Sequence, residues 1–262
     1  MRVGVIGGGN LGSSLIKGFL RSGVLQPDEI VVSEPDEGKA RELARLSIGV
    51  TSDNRELVRE CDVVFIAVKP DLVEPVLKEV EDLSAGKLFV SVAAGVSTAF
   101  IEARTRARVI RAMPNLCGAV LQMASAYSKG SRATAEDEKT VAQLLGKLGT
   151  TFPVEEDLLG AVTAVSGSGP AFFFYLMKAV QDAGVELGLP KDISFKLAAQ
   201  TARGASEIVL NSEEKIEELI RRVCTPRGTT IEGMKVLEER KVADAIKEAV
   251  KAAARRAEEI SR

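Results

Sequence analysis

The feature that most constrains this chain lies at its very start. Val3 to Ile6 is a short apolar run of strand type, and Gly7-Gly8-Gly9-Asn10-Leu11-Gly12 follows it at once. Leu11, Leu15, Ile16, Phe19 and Leu20 then recur with helical period. A strand that runs through G-x-G-x-x-G into a helix is the opening of a βαβ unit, and each glycine has a separate task. Gly7 permits the tight turn, Gly9 lets a pyrophosphate approach the backbone, and Gly12 lets the helix pack on the strand.

The strands and helices that follow extend this start into a sheet. Glu29 to Ser33, Ile48 to Thr51, Asp62 to Val68, Leu88 to Val92 and Val109 to Met113 read as strands. Helical patterns lie between them, and Val120 to Tyr127 and Thr150 to Glu155 read as further strands near an edge. Asp62 to Val68 is apolar throughout, as a strand buried on both faces must be. The fold class expected is an α/β Rossmann-like, doubly wound sheet followed by an all-α C-terminal domain. The division is placed at residues 1–157 and 158–262.

Glu34 ends the second strand, about where a dinucleotide fold carries an acid for the adenosine ribose. A carboxylate there repels the 2′-phosphate of NADP, and Pro35, Asp36 and Glu37 offer no neutralising charge. This favours NADH over NADPH, although Lys39 and Arg41 in the next helix leave cations within reach of a phosphate. The alternative is a solvated strand-end acid.

From residue 156 onward the strand signal stops. Ser166-Gly167-Ser168-Gly169-Pro170-Ala171 reads as a flexible turn entering a helix, with Pro170 at its first position and free N–H groups suited to an anion. A plain linker fits the same residues. The helix after it opens with Phe172, Phe173, Phe174, Tyr175, Leu176 and Met177, so apolar that it belongs in a core or a subunit interface. Cys224-Thr225-Pro226-Arg227-Gly228-Thr229-Thr230-Ile231 gathers hydroxyls and glycine at another helix start, either an anion cradle or an ordinary cap.

Composition closes off several classes. Histidine is absent, which removes Ser-His-Asp hydrolysis and imidazole acid–base work. Cys61, Cys117 and Cys224 are too dispersed for a disulfide framework or a zinc site, and no metal is expected. A net charge of −2 leaves no electrostatic footprint for nucleic acid. The N-terminus lacks a signal-peptide layout, and the apolar stretch from Ala161 to Val180 is interrupted by Ser166 to Pro170. A cytoplasmic protein without a membrane partner is expected.

Taken in order, Gly7-x-Gly9-x-x-Gly12, Ala67-Val68-Lys69-Pro70, Ala93-Ala94-Gly95-Val96, Ser166-Gly167-Ser168-Gly169-Pro170-Ala171 and Thr225-Pro226-x-Gly228-Thr229-Thr230-Ile231 resemble the pyrroline-5-carboxylate reductases over nearly the whole chain. The resemblance implies hydride transfer from NADH or NADPH to the C=N carbon of a cyclic imine acid, giving L-proline. It implies a homodimer built through the C-terminal helices, with dimers assembling further into a larger ring. Cofactor contacts are expected from Gly7, Gly8, Gly9, Asn10, Leu11, Gly12, Ser33, Glu34 and Asn54. Ala67, Val68, Lys69, Pro70, Ala93, Ala94, Gly95, Met113 and Asn115 are expected near the nicotinamide. The substrate falls to Ser166, Gly167, Ser168, Gly169, Thr225, Gly228 and Thr229, with the Thr230 hydroxyl facing the ring nitrogen as the catalytic group. Imine reduction asks for a placed hydride donor and an anion clamp, so a chain without histidine is adequate.

Two residues depart from the family pattern. Arg227 stands where glycine is usual, which keeps a six-membered piperideine carboxylate open as substrate. Glu34 stands where many members carry a small hydroxyl residue. A non-catalytic nucleotide-binding relative is the remaining alternative, although both the glycines and the threonine cradle are present.

Overall fold

The computed structural model describes residues 1–260. In the first part of the chain, strands and helices alternate: β1 (Val3–Ile6), α1 (Asn10–Ser22), β2 (Ile30–Ser33), α2 (Glu37–Ala44), β3 (Gly49–Thr51), α3 (Asn54–Glu60), β4 (Val63–Ile66), α4 (Pro70–Val80), β5 (Leu88–Ser91), α5 (Thr98–Glu102), β6 (Arg108–Met113), β7 (Met123–Lys129), α6 (Ala135–Gly146) and β8 (Gly149–Pro153). The sheet order is β3-β2-β1-β4-β5-β6-β7-β8. Every pairing is parallel except β6 with β7. The order reverses between β1 and β4, and the crevice outside the carboxyl ends of those strands is the ligand position of such sheets.

Two apolar layers hold this sheet. Leu15, Ile16 and Phe19 of α1 are fully buried, and the Phe19 ring meets Phe65 of β4 at 5.4 Å between centroids. On the opposite face Leu57, Val58, Val73 and Leu77 pack on Val64, Ile66 and Phe89. β1, β4 and β5 are buried along their whole length, which is why they read as unbroken apolar runs. Helix ends are set locally. Gly23 closes α1 in the left-handed region with its N–H on Leu20 O, and the Asp53 carboxylate caps α3. Burial pushes the Cys61 thiol up to about 11.

The later part is helical: α7 (Leu159–Val162), α8 (Gly169–Glu186), α9 (Lys191–Asn211), α10 (Ile216–Val223), α11 (Thr229–Glu239) and α12 (Val242–Ile260). The chain forms two compact units. One runs from Met1 to Pro170 and resumes at Ala252, and the other is Ala171–Lys251. The expected division after residue 157 therefore falls inside the first unit.

The second unit has almost no core of its own. Ser194 and Ala198 are its buried residues in α9, and α10 and α11 have none. Phe173, Phe174, Tyr175 and Val180 stand exposed on α8. Between α8 and α9 lies an apolar groove of about 570 Å³ lined by Phe173, Leu176, Val180, Leu187 and Leu197.

The stretch Ser166–Pro170 differs from expectation. It is not an open turn with free amides. The chain stays helical through it, with a π turn over Thr163–Gly167 between α7 and α8. The Ser168 N–H is bonded to Thr163 O at 2.8 Å, five residues back, and Ser166 Oγ donates to Val162 O. The apolar stretch is consequently not interrupted. Glu156–Glu186 forms one helical run that is long and apolar enough, by length and composition, to cross a membrane.

Candidate active site

The β1–α1 turn is built for a ligand. Gly7 has φ +100°, and a Cβ on it would sit 2.7 Å from Ala67 O at the end of β4. A Cβ on Gly12 would lie 2.0 Å from Gly7 O. On Gly9, by contrast, a Cβ would meet no protein atom within 4 Å. No side chain caps α1, so the first-turn amides of Asn10, Leu11 and Gly12 lack the partner that a cap provides. Gly8, Gly9, Asn10, Ser13, Lys17 and Lys39 border a cleft of about 490 Å³ there. An open glycine at an uncapped helix start fits the diphosphate of a dinucleotide.

Glu34 is buried at 7 % exposure and held from two sides. Its Oε2 accepts the Gly8 N–H at 2.8 Å and its Oε1 accepts the Asp36 N–H at 2.9 Å. Each oxygen keeps a lone pair for a ribose hydroxyl. Ser33 Oγ donates to Asn54 Oδ1 at 2.7 Å, and Asn54 Nδ2 donates to Glu79 Oε2 at 2.7 Å. The acid and the asparagine are thus fixed before any ligand arrives. Asn54 opens α3, directly after its N-cap residue Asp53.

The next strand ends follow the same logic. Ala67 N–H donates to Ile6 O, Lys69 is the N-cap residue of α4, and Pro70 takes the first helical position. After β5, Ala93 is buried and Gly95 has φ +79°. The Ile260 main chain lies 2.8 Å from where a Gly95 Cβ would stand. After β6, Met113 and Asn115 are buried, and Asn115 Nδ2 donates to Ser166 O at 3.0 Å. Within the first unit, then, Gly7–Gly12, Ser33, Glu34, Asn54, Ala67–Pro70, Ala93–Gly95, Met113 and Asn115 occupy successive strand ends. Ser166–Gly169 joins Asn115.

Three supports of this site were not foreseen. Glu156 accepts both the N–H and the hydroxyl of Thr98 at 2.7 Å, and Arg111 Nη1 reaches the same carboxylate at 3.3 Å. Together with Ile260, these groups brace the loop that begins at Ala93. No local pattern announces contacts that link residues 58 or 165 positions apart, so sequence spacing alone could not have found them.

Thr225, Gly228, Thr229 and Thr230 lie in the second unit. The Gly228 N–H donates to Thr225 O at 2.9 Å, which closes a turn before α11. Gly228 is the N-cap residue and no side chain caps the helix, as at α1. A Cβ on Gly228 would fall 2.4 Å from Thr225 Oγ1. Arg227 adopts φ +61°, the left-handed region that favours glycine.

Against this geometry, residues 156–260 match the family model for pyrroline-5-carboxylate reductase dimerisation. Residues 2–95 match that of NADP oxidoreductase, coenzyme F420-dependent. A pyrroline-5-carboxylate reductase of Methanosarcina acetivorans is 37 % identical across all of this chain and 98 % of its own length. The chain belongs to the pyrroline-5-carboxylate reductase family. The soybean (Glycine max) reductase is 41 % identical over 99 % of this chain and 96 % of its own. Among solved structures, a Coxiella burnetii pyrroline-5-carboxylate reductase superposes with a TM-score of 0.89 at 32 % identity, covering 100 % of this chain and 98 % of its own. The Plasmodium falciparum pyrroline carboxylate reductase with NADP bound superposes at 0.93 and 26 % identity, again over 100 % and 98 %.

Membership makes this an NAD(P)H-dependent oxidoreductase with a soluble-enzyme fold that associates with itself. It also accounts for the bare second unit. The dimerisation match spans the apolar helix together with the residues that line the groove.

Proposed function

We propose that the first unit binds NADH or NADPH along its strand ends and the chain reduces the C=N bond of 1-pyrroline-5-carboxylate to give L-proline, the last step of proline biosynthesis. The observation that carries this reading is a pair of helix starts without side-chain caps. One, α1, stands beside open Gly9; the other, α11, stands beside Thr225 and Gly228. The first suits a diphosphate and the second a carboxylate. When bound, the nicotinamide supplies the hydride.

The chain's own groups bind and orient. Gly7–Gly12 cradle the diphosphate, while Ser33, Glu34 and Asn54 hold the adenosine end. Ala67–Pro70, Ala93–Gly95, Met113 and Asn115 border the nicotinamide. The substrate carboxylate rests on Thr225–Thr229, the Thr230 hydroxyl faces the ring nitrogen, and Ser166–Gly169 shape the pocket. A protonated imine is already electrophilic, so placement supplies much of the rate. Thr230 orients that nitrogen through a hydrogen bond. The functional division is placed after residue 157, and the enzyme in the cytoplasm, where the free thiols of Cys61, Cys117 and Cys224 stay reduced.

NADH is the preferred donor in this reading, because the fixed, buried Glu34 carboxylate faces the region a 2′-phosphate would occupy. A second substrate, the six-membered piperideine carboxylate, is favoured by one observation: an arginine held at φ +61° in the carboxylate loop. The testing experiment compares Thr230→Val and Arg227→Gly with the unmodified enzyme on both imines. Thr230→Val lowers kcat/KM roughly tenfold or more with dinucleotide affinity unchanged. Arg227→Gly changes the ratio of the two imines. An unaltered kcat/KM in Thr230→Val removes that residue from the site.

A further inference from the structure

The π turn over Thr163–Gly167 is followed closely by Pro170. In an α-helix the Ser166 carbonyl accepts the N–H of residue 170. Residue 170 is proline and has none. The helix opens to π geometry over Thr163–Gly167, and the Ser166 carbonyl accepts from outside the helix instead. Its donor is Asn115 Nδ2, at 3.0 Å.

Asn115 is well placed for this. It is 7 % exposed, and its Oδ1 accepts the Cys117 N–H at 3.1 Å. One end of the amide faces a donor and the other an acceptor, so its orientation is decided by its partners. Its neighbour Met113 brings Sδ to 3.8 Å from the position of a Cβ at Gly167. The strand end after β6 and the π turn are therefore joined by one buried amide. Single-turn π segments recur at functional sites because they re-aim side chains within a helix.

We infer that Asn115 is a positioning residue for imine reduction: it replaces the hydrogen bond that Pro170 removes, and so holds Ser166–Gly169 against the strand end after β6. The inference rests on the reading that Ser166–Gly169 border the imine. Both ends of the Asn115 side chain are taken, by Ser166 O and the Cys117 N–H, so the residue borders the nicotinamide with its main chain while its side chain acts through Ser166. Asn115 and Pro170 are consequently coupled, since an alanine at 170 would return the missing N–H to the helix.

The test is a double-mutant cycle on the full-length enzyme. Asn115→Asp keeps an acceptor for the Cys117 N–H and loses the donor to Ser166. It is combined with Pro170→Ala, and kcat, the KM for pyrroline-5-carboxylate, the dinucleotide Kd and the Tm are measured for each. Asn115→Asp is expected to lower kcat/KM for the imine roughly tenfold, as loss of a half-buried hydrogen bond that holds the pocket does, with the Kd within about twofold. In the Pro170→Ala background the same change costs less than about threefold. Should Asn115→Asp fail to fold, Asn115→Ser, with a hydroxyl too short for Ser166, carries the same cycle.

Equal losses in both backgrounds overturn the inference. So does a Kd that moves as far as the imine KM, for Asn115 would then contact the dinucleotide directly. Both results leave an active reductase. Absence of imine turnover in the unmodified enzyme is a different failure, that of the underlying reading, and it removes the positioning role with it.

Discussion

Gly9 and Gly12 stand three residues apart and serve opposite needs. A methyl group on Gly12 would overlap Gly7 O, whereas on Gly9 it meets only open space. Gly12→Ala is therefore expected to lower the Tm by at least about 5 °C, read by calorimetry. Gly9→Ala keeps the Tm within about 2 °C and loses dinucleotide affinity, read by fluorescence titration. Equal Tm losses would contradict this division of tasks. Glu34 supplies a second prediction. Glu34→Ser removes the charge and shifts the ratio of kcat/KM toward NADPH by roughly tenfold. It also leaves the buried Gly8 N–H without its acceptor, at a cost of about 1–3 kcal/mol. A cofactor ratio that does not move in that variant would place the selectivity elsewhere. The position of Glu34 was legible from its distance beyond the glycines. That two main-chain amides fix its carboxylate was not, because one of them is donated by Gly8, 26 residues away. Arg227 was legible as a departure, and its positive φ gives the physical reason why glycine suits that place.

At the scale of elements, apolar runs bounded by glycine and proline made the parallel strands readable, since burial on both faces leaves no alternation to misread. Ser166–Pro170 was not readable in the same way. Local propensity favours a turn there, but a proline deletes one bond and a distant asparagine makes another, so the helix continues. Helix α6 offers a cleaner case of local control. Thr134 and Asp137 form a capping box, and Arg108 of β6 binds the same carboxylate at 2.8 Å. Burial raises the Asp137 pKa, but the Thr134 amide and hydroxyl and the Arg108 guanidinium outweigh it, so the net direction is down. A carboxyl lowered in the folded state stabilises above its unfolded pKa of about 3.9 and loses that contribution as pH falls through the folded value. Asp137→Asn is expected to unfold at lower denaturant concentration at neutral pH, by about 1–2 kcal/mol, with the gap closing in acid. A gap that stays constant down to acid pH would show that the charge is not what matters.

For the whole molecule, the two units differ in how they reach stability. The first buries Phe19, Phe65, Phe89 and two apolar layers around its sheet. The second leaves Leu187 86 % exposed and most of its apolar side chains uncovered. Because the chain associates with itself, its Tm is expected to rise with protein concentration. Val180→Glu places a charge in the apolar groove, and sedimentation is expected to report a shift toward monomer together with loss of activity. A fully active monomer would contradict that expectation. The excess of apolar residues after Pro170 made an interface legible in the sequence, whereas the return of the chain end to the first unit left no trace there.

The most direct test of the whole account is the steady-state oxidation of NADH and of NADPH with pyrroline-5-carboxylate as substrate. Piperideine carboxylate is run alongside. The account predicts turnover that depends on pyrroline-5-carboxylate, yields proline in equal amount to the dinucleotide oxidised, and is faster with NADH. Tight dinucleotide binding without turnover of either imine would contradict it.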